Sequence, residues 1–255
     1  MSRRLDGGSQ AQVPALPAPK RRTIGRPKGA LWLCWLLILA IATAGCGGGG
    51  AKSNGIADMT PTQILAQMKK DVANAKSVHI TGTGTTSSTQ LSLDLQLERG
   101  TGGSGHIEIG GYGFDIVRID DKLYFKADKA ALDHFAGSVV ANLLAGRWFV
   151  VPAGSSGFGS FTPFTDLQKL MKQILTASGR VEKGNESKVD GQPVIALTDT
   201  KNGGTLYVAT TGPAYPLQLK PGKNRTGTIS FTDWDQPVTL TAPKDALDYK
   251  KLTGG

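Results

Sequence analysis

TQLSLDLQLER, residues 89–99, alternates along its whole length. Leu91, Leu93, Leu95 and Leu97 fall on one side; Ser92, Asp94, Gln96 and Glu98 fall on the other. Successive side chains of a strand point to opposite faces, so the pattern predicts a strand with one apolar and one wet face. Strands of that kind build antiparallel sheets whose inner face packs on a core while the outer face meets water.

The segments on either side extend the sheet. Upstream, SVHITGTGTT (Ser77–Thr86) is threonine-rich and reads as extended. Downstream come GHIEIGG, FDIVRI and KLYFKA, with Asp120 and Asp121 as a tight turn before the last. Together they read as an antiparallel meander. Further strand-like runs are RWFVVP (147–152), 180–186, 194–198, 205–210, 217–220, 226–232 and 238–241, with DG, NGG and PGKN as turns among them.

Three helical segments accompany the strands. TPTQILAQMKKDVANAK has Thr60 at the N-cap, Pro61 at the first helical position and Gln63 three residues after the cap. That is a capping box with an N-terminal proline. Its Ile64, Leu65, Met68, Val72 and Ala75 form one stripe. Asp128 caps Lys129–Leu144, with an interruption expected at Gly137. In Asp166–Ala177, Leu167, Leu170, Met171, Ile174 and Leu175 recur at helical spacing. The expected fold class is α+β: one large antiparallel sheet whose apolar face is covered by a few helices.

The first 58 residues differ in kind. The formal net charge is +9, a value common among nucleic-acid binders. Residues 1–30, however, hold seven basic side chains against the single acid Asp6, and 31–45 hold no charge. Subtracting that +6 from +9 leaves +3 for residues 46–255, too little to imply a nucleic-acid partner. Residues 1–29 form a basic leader, rich in proline and glycine over LDGGSQAQVPALPAPK. ALWLCWLLILAIATA (Ala30–Ala44) is uncharged and 15 residues long, short of the roughly 20 a spanning helix needs. Residues 30–45 therefore read as the apolar region and cleavage site of a secretory signal, with the basic end held inside.

Ala44 and Gly45 followed by Cys46 resemble a bacterial lipobox, with Thr43 where leucine is usual. The resemblance implies cleavage just before Cys46, a diacylglycerol on its thiol, and a domain held at the outer face of the cell membrane. The glycines after Cys46 and the rest of 46–58 read as a flexible tether, and 59–250 as the folded domain. Cys34 lies in the removed segment and Cys46 is acylated, so this reading leaves the mature domain no disulfide and no cysteine metal site.

Motifs of chemistry are missing. The mature chain has no Ser-x-x-Lys, no Gly-x-Ser-x-Gly and no phosphate loop. His79, His106 and His134 lack metal-ligand spacing. His106 and Glu108 share one strand face and read as solvated, and Asp233-Trp234-Asp235 before Pro237 reads as the break after a strand. No catalytic residue, metal or cofactor is expected.

VRIDDKLYFKA, GRWFVVP, DGQPVIALTD, GGTLYVATTGPAYPLQL and ISFTDWDQPVTLTAP resemble the LppX/LprG-type lipoproteins of mycobacteria and related actinobacteria, over about Met59–Pro243. The resemblance implies a LolA-like half-barrel of antiparallel strands wrapped over a few helices and enclosing an apolar cavity. It also implies a membrane-anchored, non-enzymatic carrier of acyl lipids or glycolipids through the cell envelope, working with a lipid transporter. Exposing a two-chain lipid of about 32 methylenes to water costs roughly 26 kcal/mol, at ~0.8 each, so such a cargo needs a shield. The expected cavity residues are Leu91, Leu93, Leu95 and Leu97 on the strand and Leu170, Met171 and Ile174 on the third helix. The same stripes would also suit a filled core. That alternative describes an anchored interaction module that binds a transporter or sensor protein. Phe158, Phe161 and Phe164, in GSSGFGSFTPF, either pin that loop to the core or stand at the cavity mouth.

Overall fold

Alternation in the sequence becomes alternation in burial. In the computed structural model, which describes residues 52–86, 88–155, 158–249 and 251, Leu93, Leu95 and Leu97 are buried while Asp94 and Gln96 are exposed. Their strand is one of twelve among the described residues: β1 Ser77–Thr86, β2 Thr89–Glu98, β3 Gly102–Ile109, β4 Tyr112–Ile119, β5 Lys122–Ala127, β6 Phe149–Pro152, β7 Val181–Val189, β8 Gln192–Asp199, β9 Thr205–Ala209, β10 Pro216–Lys220, β11 Arg225–Thr232 and β12 Leu247–Asp248. They form one sheet in the order β12-β6-β5-β4-β3-β2-β1-β11-β10-β9-β8-β7. Every pairing is antiparallel except β12 with β6. The chain thus lays down two meanders and joins them where β1 pairs with β11, Ile80 opposite Phe231.

The sheet is open, a half-barrel wrapped over the helices. Its two ends take different partners. At the rim end lie the end of β1, the β3–β4 turn, the start of β7 and the turns β8–β9 and β10–β11. At the base lie Ser77, the β2–β3 and β4–β5 turns and the β9–β10 connection.

The helices are α1 Pro61–Asn74, α2 Lys129–Ala136, α3 Ser138–Leu144 and α4 Leu167–Ile174. The box at α1 is formed: the Gln63 N–H donates to the Thr60 hydroxyl at 3.4 Å, and the Thr60 N–H donates to Gln63 Oε1 at 3.0 Å. Ile64, Met68 and Val72 of α1 and Leu167, Leu170 and Met171 of α4 are buried in the same core as Ile80, Leu95, Leu97, Ile116 and Phe231. Asp166 caps α4 by accepting from the Lys169 N–H at 3.0 Å. Arg118 fixes that cap to the sheet: its Nε donates to the Thr165 carbonyl at 3.1 Å and its guanidinium lies 3.7 Å from the Asp166 carboxylate. The helix interrupted at Gly137 is two helices, because Gly137 takes φ +85°, a left-handed conformation that favours glycine.

Two boundaries differ from the sequence expectation. The folded part starts at Ser53 rather than Met59. Ser53 bridges Thr211, the Asn54 side-chain amide donates to the carbonyls of Ala209 and Gly212, and Ile56 is 1% exposed in the core. Residues 238–241 form no strand; Pro237 and Pro243 flank them and withhold the N–H donors a ladder needs. The last strand instead is the two-residue β12, whose Leu247 lies opposite Phe149. The leader, the lipobox and the whole glycine run, Gly47–Gly50, lie outside the described residues. Among those described, no helix is long and apolar enough to cross a membrane.

Candidate functional site

The site begins with missing side chains. On the inner face of β1, Val78, Ile80, Gly82 and Gly84 follow one another at every second position. Across the ladder they face Leu97, Leu95, Leu93 and Leu91 of β2. On the other flank Ile80, Gly82 and Gly84 face Phe231, Ile229 and Gly227 of β11. Toward the base, then, each position carries a large side chain and the core is filled. Toward the rim, three adjacent positions carry only hydrogen. A Cβ on Gly82 would meet the Thr228 carbonyl oxygen at 2.8 Å. Gly227 takes φ +107°, and a Cβ there would meet the Thr83 carbonyl oxygen at 1.9 Å. The strands approach too closely at this seam for anything but glycine.

Above this bare patch is an open cleft of about 390 Å³. Leu91, Leu93 and Ile229 wall it beside the glycines; Leu197, Leu206 and Leu219 continue the wall along β8, β9 and β10. The last turn of α4 closes the opposite side through Ile174 and Leu175, with Leu65 from α1 and Val181 from β7. Threonines of β1 and β11 and Gln173 also border the cleft, and Thr176, Ser178, Asp199, Asn202 and Arg225 gather at the mouth. An apolar hollow with a polar mouth is what a ligand with an apolar body and a polar end requires.

The mouth is held by one carboxylate. The backbone N–H of Ser178 donates to Asp199 at 2.7 Å and that of Lys201 at 2.9 Å. These bonds, with one from the Asn202 N–H, hold the Asp199 carboxyl below its ordinary 3.8. The segment after α4 is thereby clipped to the β8–β9 turn, and the Asn202 amide adds a 2.7 Å bond to the Ser178 hydroxyl. Arg180 pairs with Glu182 at 2.6 Å. Lys201, Lys223 and Arg225 are exposed and have no ion-pair partner among the described residues.

Of the seven expected cavity residues, Leu91, Leu93 and Ile174 line the cleft. Leu95, Leu97, Leu170 and Met171 are at most 4% exposed and sit in the filled part of the core. The division follows their partners: Leu95 and Leu97 lie opposite Ile80 and Val78, whereas Leu91 and Leu93 lie opposite Gly84 and Gly82. Phe158, Phe161 and Phe164 are half-buried and outside the cleft lining. Phe161 packs on Phe114 and Phe125 at ring distances of 5.2 and 4.8 Å, and Phe158 on Phe125, Phe149 and Tyr249 at 5.6, 5.8 and 5.5 Å. These rings belong to an aromatic cluster over β4–β6, where the loop is pinned by edge-on packing.

A second, polar hollow lies on the outer face, lined by His106, Glu108, Asp115, Lys126 and Asp128. Asp115 there lies 2.7 Å from both His106 and Lys126, and Asp128 accepts from the Gly113 N–H at 2.8 Å. Asp233 and Asp235 point to different partners. Asp233 approaches His79 at 3.4 Å; Asp235 accepts from the Tyr215 hydroxyl at 2.6 Å and from the Lys76 N–H at 2.6 Å. Burial and that carboxylate push the Tyr215 phenol well above its ordinary range. Among the described residues, no three His, Cys, Asp or Glu side chains converge as metal ligands.

This open antiparallel half-barrel over a few helices shares its fold with a solved structure, LprF. The structure of LprF from Mycobacterium bovis superposes on 76% of this chain and 99% of its own, at 15% identity and a TM-score of 0.53. Weaker similarity extends to the Mycobacterium tuberculosis lipoprotein LppX (13% identity, 71% of this chain and 99% of that one, TM-score 0.42). It extends also to the LolA superfamily protein NE2245 from Nitrosomonas europaea (9% identity, 72% and 98%, TM-score 0.26). No family model matches the sequence, and comparison with curated proteins finds no match.

Proposed function

We propose that this protein is a lipoprotein, anchored through Cys46 at the outer face of the cell membrane, which carries acyl lipids or glycolipids across the envelope without transforming them. The observation that carries the reading is the glycine-floored cleft. A folded protein gains nothing from leaving about 390 Å³ beside nine leucine and isoleucine side chains unless something fills it. At the ~24 cal/mol per Å3 found for small cavities, a dry and rigid void of this size would cost about 9 kcal/mol, comparable to a whole domain's stability. An acyl chain removes that cost and hides itself from water in the same step.

The volume also supports a single chain as the cargo. A cavity of roughly 150 Å3 holds benzene, six carbons, so a cleft of this size holds about 16. That is one acyl chain, half of the two-chain cargo expected from sequence. Burial of 16 methylenes is worth about 13 kcal/mol before the entropy of ordering the chain is subtracted. A second chain of the same lipid then stays outside the cleft.

The test is neutral organic extraction of the exported protein carrying Cys46→Ala, followed by mass spectrometry. The expected result is acyl lipid at close to one molecule per protein. Protein that repeatedly emerges free of lipid would leave the interaction-module reading in its place.

A further inference from the structure

We infer that the rim end of the half-barrel is a docking face for an anionic lipid bilayer, with an apolar ridge on α2 and α3 that enters the bilayer and a basic collar that meets its phosphates. This goes beyond the carrier reading and rests on it only for its purpose. The face exists whatever the cleft holds.

The ridge is the first observation. Phe135, Val139 and Leu143 are 67%, 74% and 64% exposed, and they are the exposed large apolar side chains of the described residues. They stand together on α2 and α3 rather than scattered. Their neighbours are Tyr112 and His134, which stack at 4.8 Å, with Phe135 set edge-on to both rings. Beneath them Ala131, Leu132, Ala141 and Leu144 are buried, so the helices have used their inner faces and still show an apolar outer one. An aliphatic and aromatic group at this exposure is disfavoured in water and suits the headgroup boundary of a bilayer. The helices themselves bring little charge, since Lys129 is paired with Asp133 at 2.6 Å.

The collar is the second observation. At the same end of the sheet, Lys201 lies in the β8–β9 turn and Lys223 and Arg225 in and just after the β10–β11 turn, all exposed and without an ion-pair partner among the described residues. Lys220, over the ring of Tyr207 at 5.4 Å, adds a fourth. Of the acids beside these cations, Asp199 is engaged by backbone N–H groups and Glu182 by Arg180; Glu108, near the β3–β4 turn, is an exposed rim carboxylate set against the four cations of the collar. The free charge of the rim is therefore positive, which fixes the occupant: an anionic surface, with each cation near it worth about 1 kcal/mol.

The third observation is position. α2 follows the rim end of β5, and β4, against which it packs, is three strands from β1 in the sheet. At ~4.8 Å per strand the ridge stands about 14 Å along the rim from the cleft floor. One flat surface laid on this end would touch the ridge, the collar and the cleft mouth together.

Hydrogen–deuterium exchange of the full chain tests this peptide by peptide. Vesicles of phosphatidylcholine with about one-third phosphatidylglycerol should slow exchange in 129–144, 199–204 and 220–225 by about tenfold or more. Peptides at the base, 98–102, 119–122 and 189–192, should not change, which separates docking from insertion of the apolar leader. Pure phosphatidylcholine should give a clearly smaller effect, and added salt should erase the difference. Phe135→Ser with Val139→Ser and Leu143→Ser should abolish the slowing while the variant still unfolds cooperatively, with a melting temperature lowered only by loss of the ring contacts Phe135 makes with Tyr112, Phe114 and His134. Lys201→Gln with Lys223→Gln and Arg225→Gln should abolish the preference for anionic vesicles. Slowing confined to the base, slowing in the triple-serine variant, or equal slowing on neutral and anionic vesicles would overturn the inference. Lipid-free extracts would overturn the carrier reading and leave this one standing.

Discussion

Replacing Ile229 by tryptophan tests the cleft as a measure of chain length. Ile229 is half-buried, lies opposite Gly82 and lines the cleft, so a larger ring at this position extends into open space rather than into the filled core. Tryptophan has six more side-chain heavy atoms than isoleucine, about one benzene, and so takes up roughly 150 Å3. About 240 Å3 then remains of the 390 Å³, room for about 10 carbons instead of about 16. A 16-carbon chain loses the burial of about six methylenes, at most ~5 kcal/mol, or between three and four powers of ten in affinity. A chain of about 10 carbons should lose almost nothing. Calorimetric titration with single-chain lipids of about 8 to 18 carbons reads this directly. The parent's affinity should rise with length and level off near 16, and the variant's should level off near 10. Thermal unfolding of the empty proteins checks that overpacking has cost no more than about 1–3 kcal/mol. The same plateau in parent and variant, with both folded, would show that the chain lies elsewhere.

Other perturbations read other parts of the molecule. Phe161→Ser removes a half-buried ring from its contacts with Phe114 and Phe125; it should cost about 3 kcal/mol and lower the melting temperature by some 6–12 °C. A change under about 2 °C would mean that the loop is not pinned there. Burial pushes the Asp115 carboxyl up, but hydrogen bonds from Lys126 and His106 outweigh it and hold it below 3.8. A depressed carboxyl contributes stability above its ordinary value that is lost as pH falls through the depressed one. Asp115→Asn should therefore destabilise at neutral pH, with the gap to the parent closing below pH 3.8 in thermal scans; a pH-independent gap would contradict the ion pairing. Cys46→Ala should abolish partitioning into a detergent phase, and a variant that is processed and partitions like the parent would remove the anchor.

What the sequence made legible was whatever depends on near neighbours. The period-two run of β2, the caps at Thr60 and Asp128, and the break at Gly137 all follow from contacts within a few residues, and each is present. The cleft was harder because its walls are set by residues across the sheet. Leu91 and Leu97 are equivalent within β2; their cross-strand neighbours distinguish them, Gly84 of β1 beside Leu91 and Val78 beside Leu97. The signal lay in TGTGT, residues 81–85, where glycine takes every inward position of a strand. It could be read only once the neighbours of β1 were known. The phenylalanine loop was open for a similar reason: its partners, Phe114, Phe125 and Phe149, come from three separate strands.

The pairing of β1 with β11 bears on how the molecule is made. β2 to β5 close through short turns, whereas Ile80 and Phe231 stand about 150 residues apart, and contacts that far apart are slow to form. Amide protection followed from the start of refolding should therefore appear across the local hairpins of each meander before the amides bonded across the β1–β11 ladder, and the reverse order would contradict this. Gly82, Gly84 and Gly227 face one another only across that late seam. Under the carrier reading, a chain still leaving the export machinery would have both meanders' local turns but no floor for a cargo. Competence to carry would then arrive with the final zipping of two strands, once the C-terminal third of the protein is already outside.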